Sequence, residues 1–356
     1  MLVMKIARFI VSLLLAPLTV WYAVVVWLRN CMFDCGLLHS HPTPVPSVGI
    51  GNLSVGGSGK TPHTDYVIGH LSKKFSTALV SRGYGRNTKG FRQVDVCCRA
   101  TEVGDEPLML KRRHPDIQAA VCEQRKEAVE KLYAQHDDLE LFVFDDVFQH
   151  RYIRPTVSVL LTEYDKPYFR DAILPFGNLR EPRRHCSRAD IVVVTKSPQN
   201  VANEEKERFA KDLCISEKQE LFFSSMVYGD VVDIRSGCPA VIDDYDSLLV
   251  VTGIAHPQPL VEYLCGKHRV VVHMSFSDHH GFTRLDIDHI VQKYKSLGKT
   301  KNAIVTTEKD AMRLMTFADE KPLLGIPMFY QSIEVVFHDE DKFLVSLNRR
   351  LGIHND

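Results

Sequence analysis

The chain has 356 residues, 45% of them hydrophobic, with 44 Lys+Arg balanced by 44 Asp+Glu and no formal net charge. That length can bury a large core and suits two domains, while the balanced charge argues against a nucleic-acid partner. Nine cysteines, odd in number and without zinc-ligand spacing, fit reduced thiols better than a disulfide framework. The first predicted element is an uncharged apolar run over 9–28, preceded by Lys5 and Arg8 and followed by Arg29, with Trp21, Tyr22 and Trp27 suited to an interface. About 20 apolar residues can cross a bilayer, so residues 1–35 are read as a membrane-anchor helix. A cleaved signal, a buried core helix and, given Pro17, a helix lying in one leaflet are the alternatives.

Beyond Pro42, Pro44 and Pro46, strand and helix signals alternate. Strands are expected over 45–50, 77–81, 117–121, 139–144, 157–161 and 191–195, and helices over 63–72, 106–113 and 123–135. Apolar runs separated by helices indicate a parallel sheet covered on both faces. Residues 221–228 and 231–234, parted by Gly229-Asp230, read as a hairpin or paired extended strands and as a hinge over 219–234. A second unit then predicts strands at 247–252, 270–275 and 303–306, helices at 258–265 and 285–294, a helix opened by 307–310, and a last one over 341–350. The fold class is α/β: a P-loop parallel-sheet domain (36–218) and a smaller α/β domain (235–356) closing over the site.

The chemistry centres on Gly51-Asn-Leu-Ser-Val-Gly-Gly-Ser-Gly-Lys-Thr-Pro62. A strand, a glycine loop ending in Gly-Lys-Thr and a helix make a phosphate cradle. Backbone N–H groups face the anion, Lys60 neutralises outer phosphates and Thr61 reaches Mg²⁺. Ser54 stands where the usual pattern has glycine. The strand ending in Asp145 and Asp146 can present carboxylates to that metal, as a Walker-B strand does. Asp105 and Glu106 open a helix, where capping is the plain reading. His279 follows a strand, and a lone Asp-His pair is more often a satisfied loop histidine. The roles of Arg82, Arg86, Arg180, Arg183 and Arg184 are left open by spacing alone.

Taken in order, that loop with Ser81-Arg-Gly-Tyr-Gly-Arg86, Gly104-Asp-Glu-Pro107, Phe144-Asp-Asp-Val-Phe-Gln-His-Arg151, Leu179-Arg-Glu-Pro182, Val194-Thr-Lys-Ser-Pro198, Gly253-Ile-Ala-His-Pro257, Phe276-Ser-Asp-His-His280 and Thr306-Thr-Glu-Lys-Asp310 resembles the tetraacyldisaccharide 4'-kinases of lipid A biosynthesis. The resemblance runs from the anchor to about residue 315 and makes Ser54 ordinary. Val147 and His256 depart from the family's more usual Gly and Asn, and nothing after Met315 matches.

The resemblance implies ATP and Mg²⁺ as cofactors and an acylated glucosamine disaccharide 1-phosphate as acceptor at the membrane surface. It also implies an inner-membrane location with the catalytic body on the cytoplasmic face, and no obligate protein partner is evident. Asn52, Ser54, Gly56, Gly57, Ser58, Gly59, Lys60 and Thr61 would contact nucleotide. Thr61, Asp145, Asp146 and Glu181 would serve the metal. Asp105 would be the base with His279 its partner from the second domain, and Arg82, Arg86, Glu106, Arg125 and Arg180 would contact substrate or phosphate. The competing readings are a P-loop NTPase switch or metal-insertion protein, weakened by Pro198 where a guanine-reading Asp belongs, and a vestigial nucleotide fold.

Overall fold

The computed structural model describes residues 2–298 and 301–353, with side chains from residue 16 onward, so Lys5 and Arg8 lie outside the described side chains. The longer elements are α1 (Leu2–Asp34), β1 (Ser47–Asn52), α2 (Lys60–Leu71), β2 (Thr77–Ser81), α3 (Asp105–Arg113), β3 (Gln118–Val121), α4 (Arg125–Gln135), β4 (Leu141–Phe144), β5 (Val157–Glu163), β6 (Ile191–Thr195), α5 (Asn203–Asp212) and β7 (Glu220–Asp233). They continue with β8 (Ser247–Thr252), α6 (Gln258–Cys265), β9 (Val270–Ser275), α7 (Arg284–Lys295), β10 (Asn302–Thr307), α8 (Glu308–Ala318), β11 (Met328–Phe337) and α9 (Glu340–Leu351).

Two compact units form. The first comprises Met1–Arg82, Asp116–Met226 and Val335–Asp356; the second comprises Gly83–Pro115 and Val227–Glu334. The expected boundaries followed chain order, and the observed ones do not. Residues 83–115 leave the first unit after β2, and α3 is tied to α8 in the second by Arg113–Glu308 and Lys309–Glu106 ion pairs. At the C-terminus, Phe343 of α9 stacks on Phe337 at 4.0 Å and meets Phe222 edge-on at 5.4 Å in the first unit. Both attachments are long-range, so local patterning carries no trace of them.

In the first unit the strands run β7-β6-β5-β1-β4-β2-β3, every pair parallel. Every residue of β1 is buried, with Val48 level with Val143 on one side and Val157 on the other. Helices covering both faces explain why these strands are apolar throughout rather than alternating. Below one face Leu53, Phe148, Leu160, Tyr168, Val192 and Phe209 close a core. In the second unit β9-β8-β10-β11 are likewise parallel, over a core that includes Leu248, Val250, Leu264, Val305 and Phe329.

Of the two readings at Gly229-Asp230, a hairpin or paired extended strands, the hairpin does not form: the segment is extended, and β7 is one continuous strand of 14 residues. A Cβ at Gly229 would stand 2.3 Å from Glu334 Oε1 and 2.7 Å from Ser332 Oγ. The glycine therefore admits side chains of β11 instead of turning the chain. Helix α5 and strand β11 add to the expected elements.

Helix α1 is 33 residues long and continuous through Pro17. Only 11% of its apolar window Ala16–Asp34 is buried, which argues against the core-helix reading; among the described residues this is the one helix long and apolar enough to cross a membrane. Its C-terminal half is fastened to the first unit by polar contacts. Tyr22 Oη donates to Arg180 O at 2.9 Å, Arg29 to Gln149 O at 2.9 Å, and Arg151 to Asn30 Oδ1 at 2.9 Å and Asp34 at 2.7 Å.

Candidate active site

In the first unit the chain leaves β1 between β4 and β5, where strand order reverses, the place at which open parallel sheets bind ligands. The loop that follows ends at Gly59, whose left-handed φ of 84° turns the chain into α2 at Lys60. Gly56 and Gly57 are exposed at the tip, while Thr61 is buried in the first turn. Side chains brace the loop from within. Asn52 Nδ2 donates to Ser58 Oγ at 2.7 Å, Lys60 Nζ to Asn52 Oδ1 at 3.4 Å, and Thr195 Oγ1 to Ser58 O at 3.0 Å. A second segment seals the entry: Val55 N–H donates to Asn178 O at 2.8 Å, Arg180 N–H to Leu53 O at 2.7 Å, and Ser54 bridges Leu179.

The carboxyl end of β4 supplies both acids. Asp145 is buried and accepts Thr64 Oγ1–H at 3.1 Å. Asp146 sits at a left-handed φ of 48°, a costly conformation for a side chain with a Cβ, and receives Arg180 Nη1 at 3.1 and 3.0 Å with Lys60 Nζ 3.8 Å away. Burial opposes its ionisation, but Lys60 and Arg180 outweigh burial and hold the carboxyl below the ordinary aspartate range. Arg125, also buried, donates to Asp146 O at 3.3 Å; burial lowers it to about 10, so it stays cationic at neutral pH. Arg82 is exposed and adds positive charge near Arg125.

Three cations thus meet two carboxylates beside the loop. Glu181 is placed differently. Its Oε2 takes His185 Nδ1 at 2.8 Å and Arg188 Nη2 at 2.5 Å, while buried Oε1 has no hydrogen-bond partner among the described residues. Among the described residues no three His, Cys, Asp or Glu converge into a metal cage, so Asp145, Asp146 and Glu181 do not form one together.

The second unit carries the other acids. Gly104 has φ 93° and ψ 152°, open only to glycine, and a Cβ there would lie 3.1 Å from Gly83 Cα. This close approach starts α3 at Asp105, a carboxylate 5% exposed. Its Oδ1 accepts Glu106 N–H at 3.0 Å, while Oδ2 is ion-paired with Arg313 Nη2 and faces His279 Nδ1 at 3.7 Å. His279, at a left-handed φ of 56°, follows β9, is fixed by its N–H to Gly253 O at 3.0 Å, and lies against the Tyr84 ring.

Burial resists charge on Asp105, but His279, Arg313 and Lys309 together hold it far below the usual range. His279 is drawn upward by Asp105 against burial and Arg313. Glu106 is engaged by Lys309, and Arg86 donates to Gly90 O at 2.7 Å. Asp105 and His279, expected to meet across two domains, both belong to the second unit.

Sequence reasoning missed Arg313, Lys309 and Gln149. The signal for Arg313 was its place three residues after Asp310 on one helix face, the spacing of an ion pair. Gln149 donates to Asn52 O at 2.7 Å and joins the two loop segments.

The family pattern for tetraacyldisaccharide-1-P 4'-kinase matches residues 11–352. The chain is 36% identical to the tetraacyldisaccharide 4'-kinase of Phocaeicola vulgatus over 94% of this chain and 93% of that one. With the Bacteroides thetaiotaomicron protein of the same description, identity is 38% over 92% and 90%. The solved structure of LpxK from Aquifex aeolicus in complex with ATP superposes with a TM-score of 0.75 at 25% identity, covering 96% of this chain and 99% of that one.

Proposed function

This chain belongs to the tetraacyldisaccharide-1-P 4'-kinase family, and from that premise we propose that it transfers the γ-phosphate of ATP to the 4'-hydroxyl of a tetraacyldisaccharide 1-phosphate in lipid A biosynthesis. The observation that carries this reading is the charged cluster at the glycine loop, where Lys60, Arg125 and Arg180 surround Asp145 and Asp146 at the switch point of a parallel sheet. In this reading the first unit is a P-loop domain. Loop N–H groups and the N-terminus of α2 receive the phosphates, Lys60 leaves Asp146 to meet the outer oxygens, and Arg125 and Arg180 offset remaining charge.

The donors suit magnesium: the Thr61 hydroxyl and the carboxylates of Asp145 and Asp146 are hard oxygens, and the unpartnered Glu181 Oε1 is another in the same unit. Mg²⁺ takes one or two carboxylates, waters and phosphate oxygens rather than a closed protein cage, which agrees with the lack of a three-carboxylate cluster among the described residues. Bound there, it would neutralise charge on the β- and γ-phosphates.

Asp105 takes the proton of the sugar hydroxyl. That hydroxyl is far less acidic than a carboxylic acid, so transfer comes late, as the new O–P bond forms. Helix α1 holds the body at the cytoplasmic face of the inner membrane, where an acceptor with several acyl chains is concentrated.

Purified full-length protein in detergent, given ATP, Mg²⁺ and the disaccharide 1-phosphate, is expected to yield a lipid with a second phosphate at the 4' position. ATP hydrolysis without a phosphorylated lipid overturns the assignment.

A further inference from the structure

Arg313 contacts several groups around Asp105, and the reaction as described does not use it. Its Nη1 donates to Asp310 Oδ1 at 3.0 Å and to Gly253 O at 3.3 Å. Its Nη2 donates to Asp105 Oδ2 and reaches His279 Nδ1 at 3.1 Å. One planar guanidinium therefore joins the ends of β8, β9 and β10 to the first turn of α3.

Its far end is held firmly. Asp310 is fully buried, and its other oxygen accepts the Gly253 N–H at 2.9 Å and the Thr307 hydroxyl at 2.7 Å. With its position set by backbone, Asp310 fixes Arg313, and Arg313 fixes what lies on its other edge. Asp310 itself is closed to solvent and cannot touch a substrate.

We propose that Arg313 is a positioning residue for phosphoryl transfer: its fork aims the Asp105 carboxylate and keeps it charged. The proposal rests on the assignment of Asp105 as the base. Burial drives the Asp105 carboxyl toward its neutral form, a cation beside it opposes that, and a neutral carboxyl accepts no proton.

The groups facing Asp105 are Arg313, Lys309 and Asp310 from α8, Glu106 from α3, and His279 with Asp278 from the loop after β9. Lys309 is committed to Glu106. Arg313 is therefore the cation in direct contact with the Asp105 carboxylate.

The test is the pH dependence of kcat/KM for the lipid acceptor at saturating ATP, using full-length wild type, Arg313→Gln, Arg313→Lys and Asp105→Asn. Arg313→Gln is expected to raise the acid limb by about one pH unit or more and to lower kcat roughly 10–100-fold, with KM for ATP unchanged. Arg313→Lys returns the charge and so the acid limb, but without the fork it recovers only part of kcat.

An acid limb in Arg313→Gln that coincides with wild type overturns the proposal, as does equal loss in both variants with no shift. If Arg313→Gln fails to fold, the double variant Arg313→Gln, Asp310→Asn removes both buried charges and reads the same limb, with the same result decisive. The arm with Asp105→Asn separates the two ideas. Wild-type turnover there refutes the base itself, whereas an inactive Asp105→Asn beside an unmoved limb in Arg313→Gln refutes only the role given to Arg313.

Discussion

The acids at the glycine loop and the acid that opens α3 are held in opposite ways. Around Asp145 and Asp146 stand Lys60, Arg125 and Arg180, an excess of cations that can turn from protein carboxylates to an incoming polyphosphate. Around Asp105 acids outnumber cations: Arg313 lies between Asp105 and Asp310, and Lys309 answers Glu106. One arrangement suits a large anion that comes and goes; the other suits a single proton. The two clusters belong to separate compact units.

The comparison breaks most visibly with Asp105→Asn. Turnover is expected to fall roughly 10²–10⁴-fold while ATP affinity, measured by calorimetry, stays at the wild-type value. Weakened nucleotide binding in that variant would mean the two sites are not separable in function. Lys60→Ala should do the converse, lowering kcat/KM roughly 10²–10³-fold with a loss of ATP affinity that isothermal titration detects. Retained affinity would place the phosphates elsewhere.

How much of this contrast was legible in the chain follows from how its residues are joined. The glycine loop is contiguous, and its internal bonds, Asn52 to Ser58 and Lys60 to Asn52, span 6 and 8 residues. Spacing alone could therefore outline it. Likewise the apolar runs of β1, β4, β5 and β6 announced a parallel sheet, because strands buried on both faces cannot alternate. Asp105, His279 and Arg313 are brought together by contacts spanning 34 and 208 residues, which no local period encodes. Strand β7 was misread for a related reason: Gly229 answers to Ser332 and Glu334 on β11, not to its own neighbours.

Two smaller effects sharpen the contrast through stability. His63 on α2 is fully enclosed, with Nδ1 2.7 Å from Gly59 O and Nε2 2.9 Å from Ser224 Oγ, and burial pushes it down to about 4. The unfolded chain binds this proton first, so the stabilisation is complete above the ordinary histidine value of 6.5 and is lost as pH falls towards 4. Denaturant unfolding should show a loss of about 3 kcal/mol from this site over that window, and His63→Gln should flatten it. A slope unchanged in the variant would clear His63 of the role.

The smallest expected change is Gly104→Ala. Forcing a Cβ against Gly83 at a positive φ should cost about 1–3 kcal/mol in unfolding free energy and lower turnover, with ATP affinity preserved. A variant as stable and active as wild type would show that the turn before Asp105 tolerates a shift.

The contacts of Tyr22 and Arg29 have a geometric result. They end on the carbonyls of Arg180 and Gln149, whose side chains bind Asp146 and brace Asn52. In the membrane-anchored reading proposed above, these contacts would set the glycine loop at one elevation above the bilayer, like a gauge screwed to its stand. A sugar headgroup would then have to rise from the lipid to that height to come level with the transferred phosphoryl. Sliding α1 by one turn relative to those two carbonyls would displace that level by about 5.4 Å, more than the reach of a forming bond.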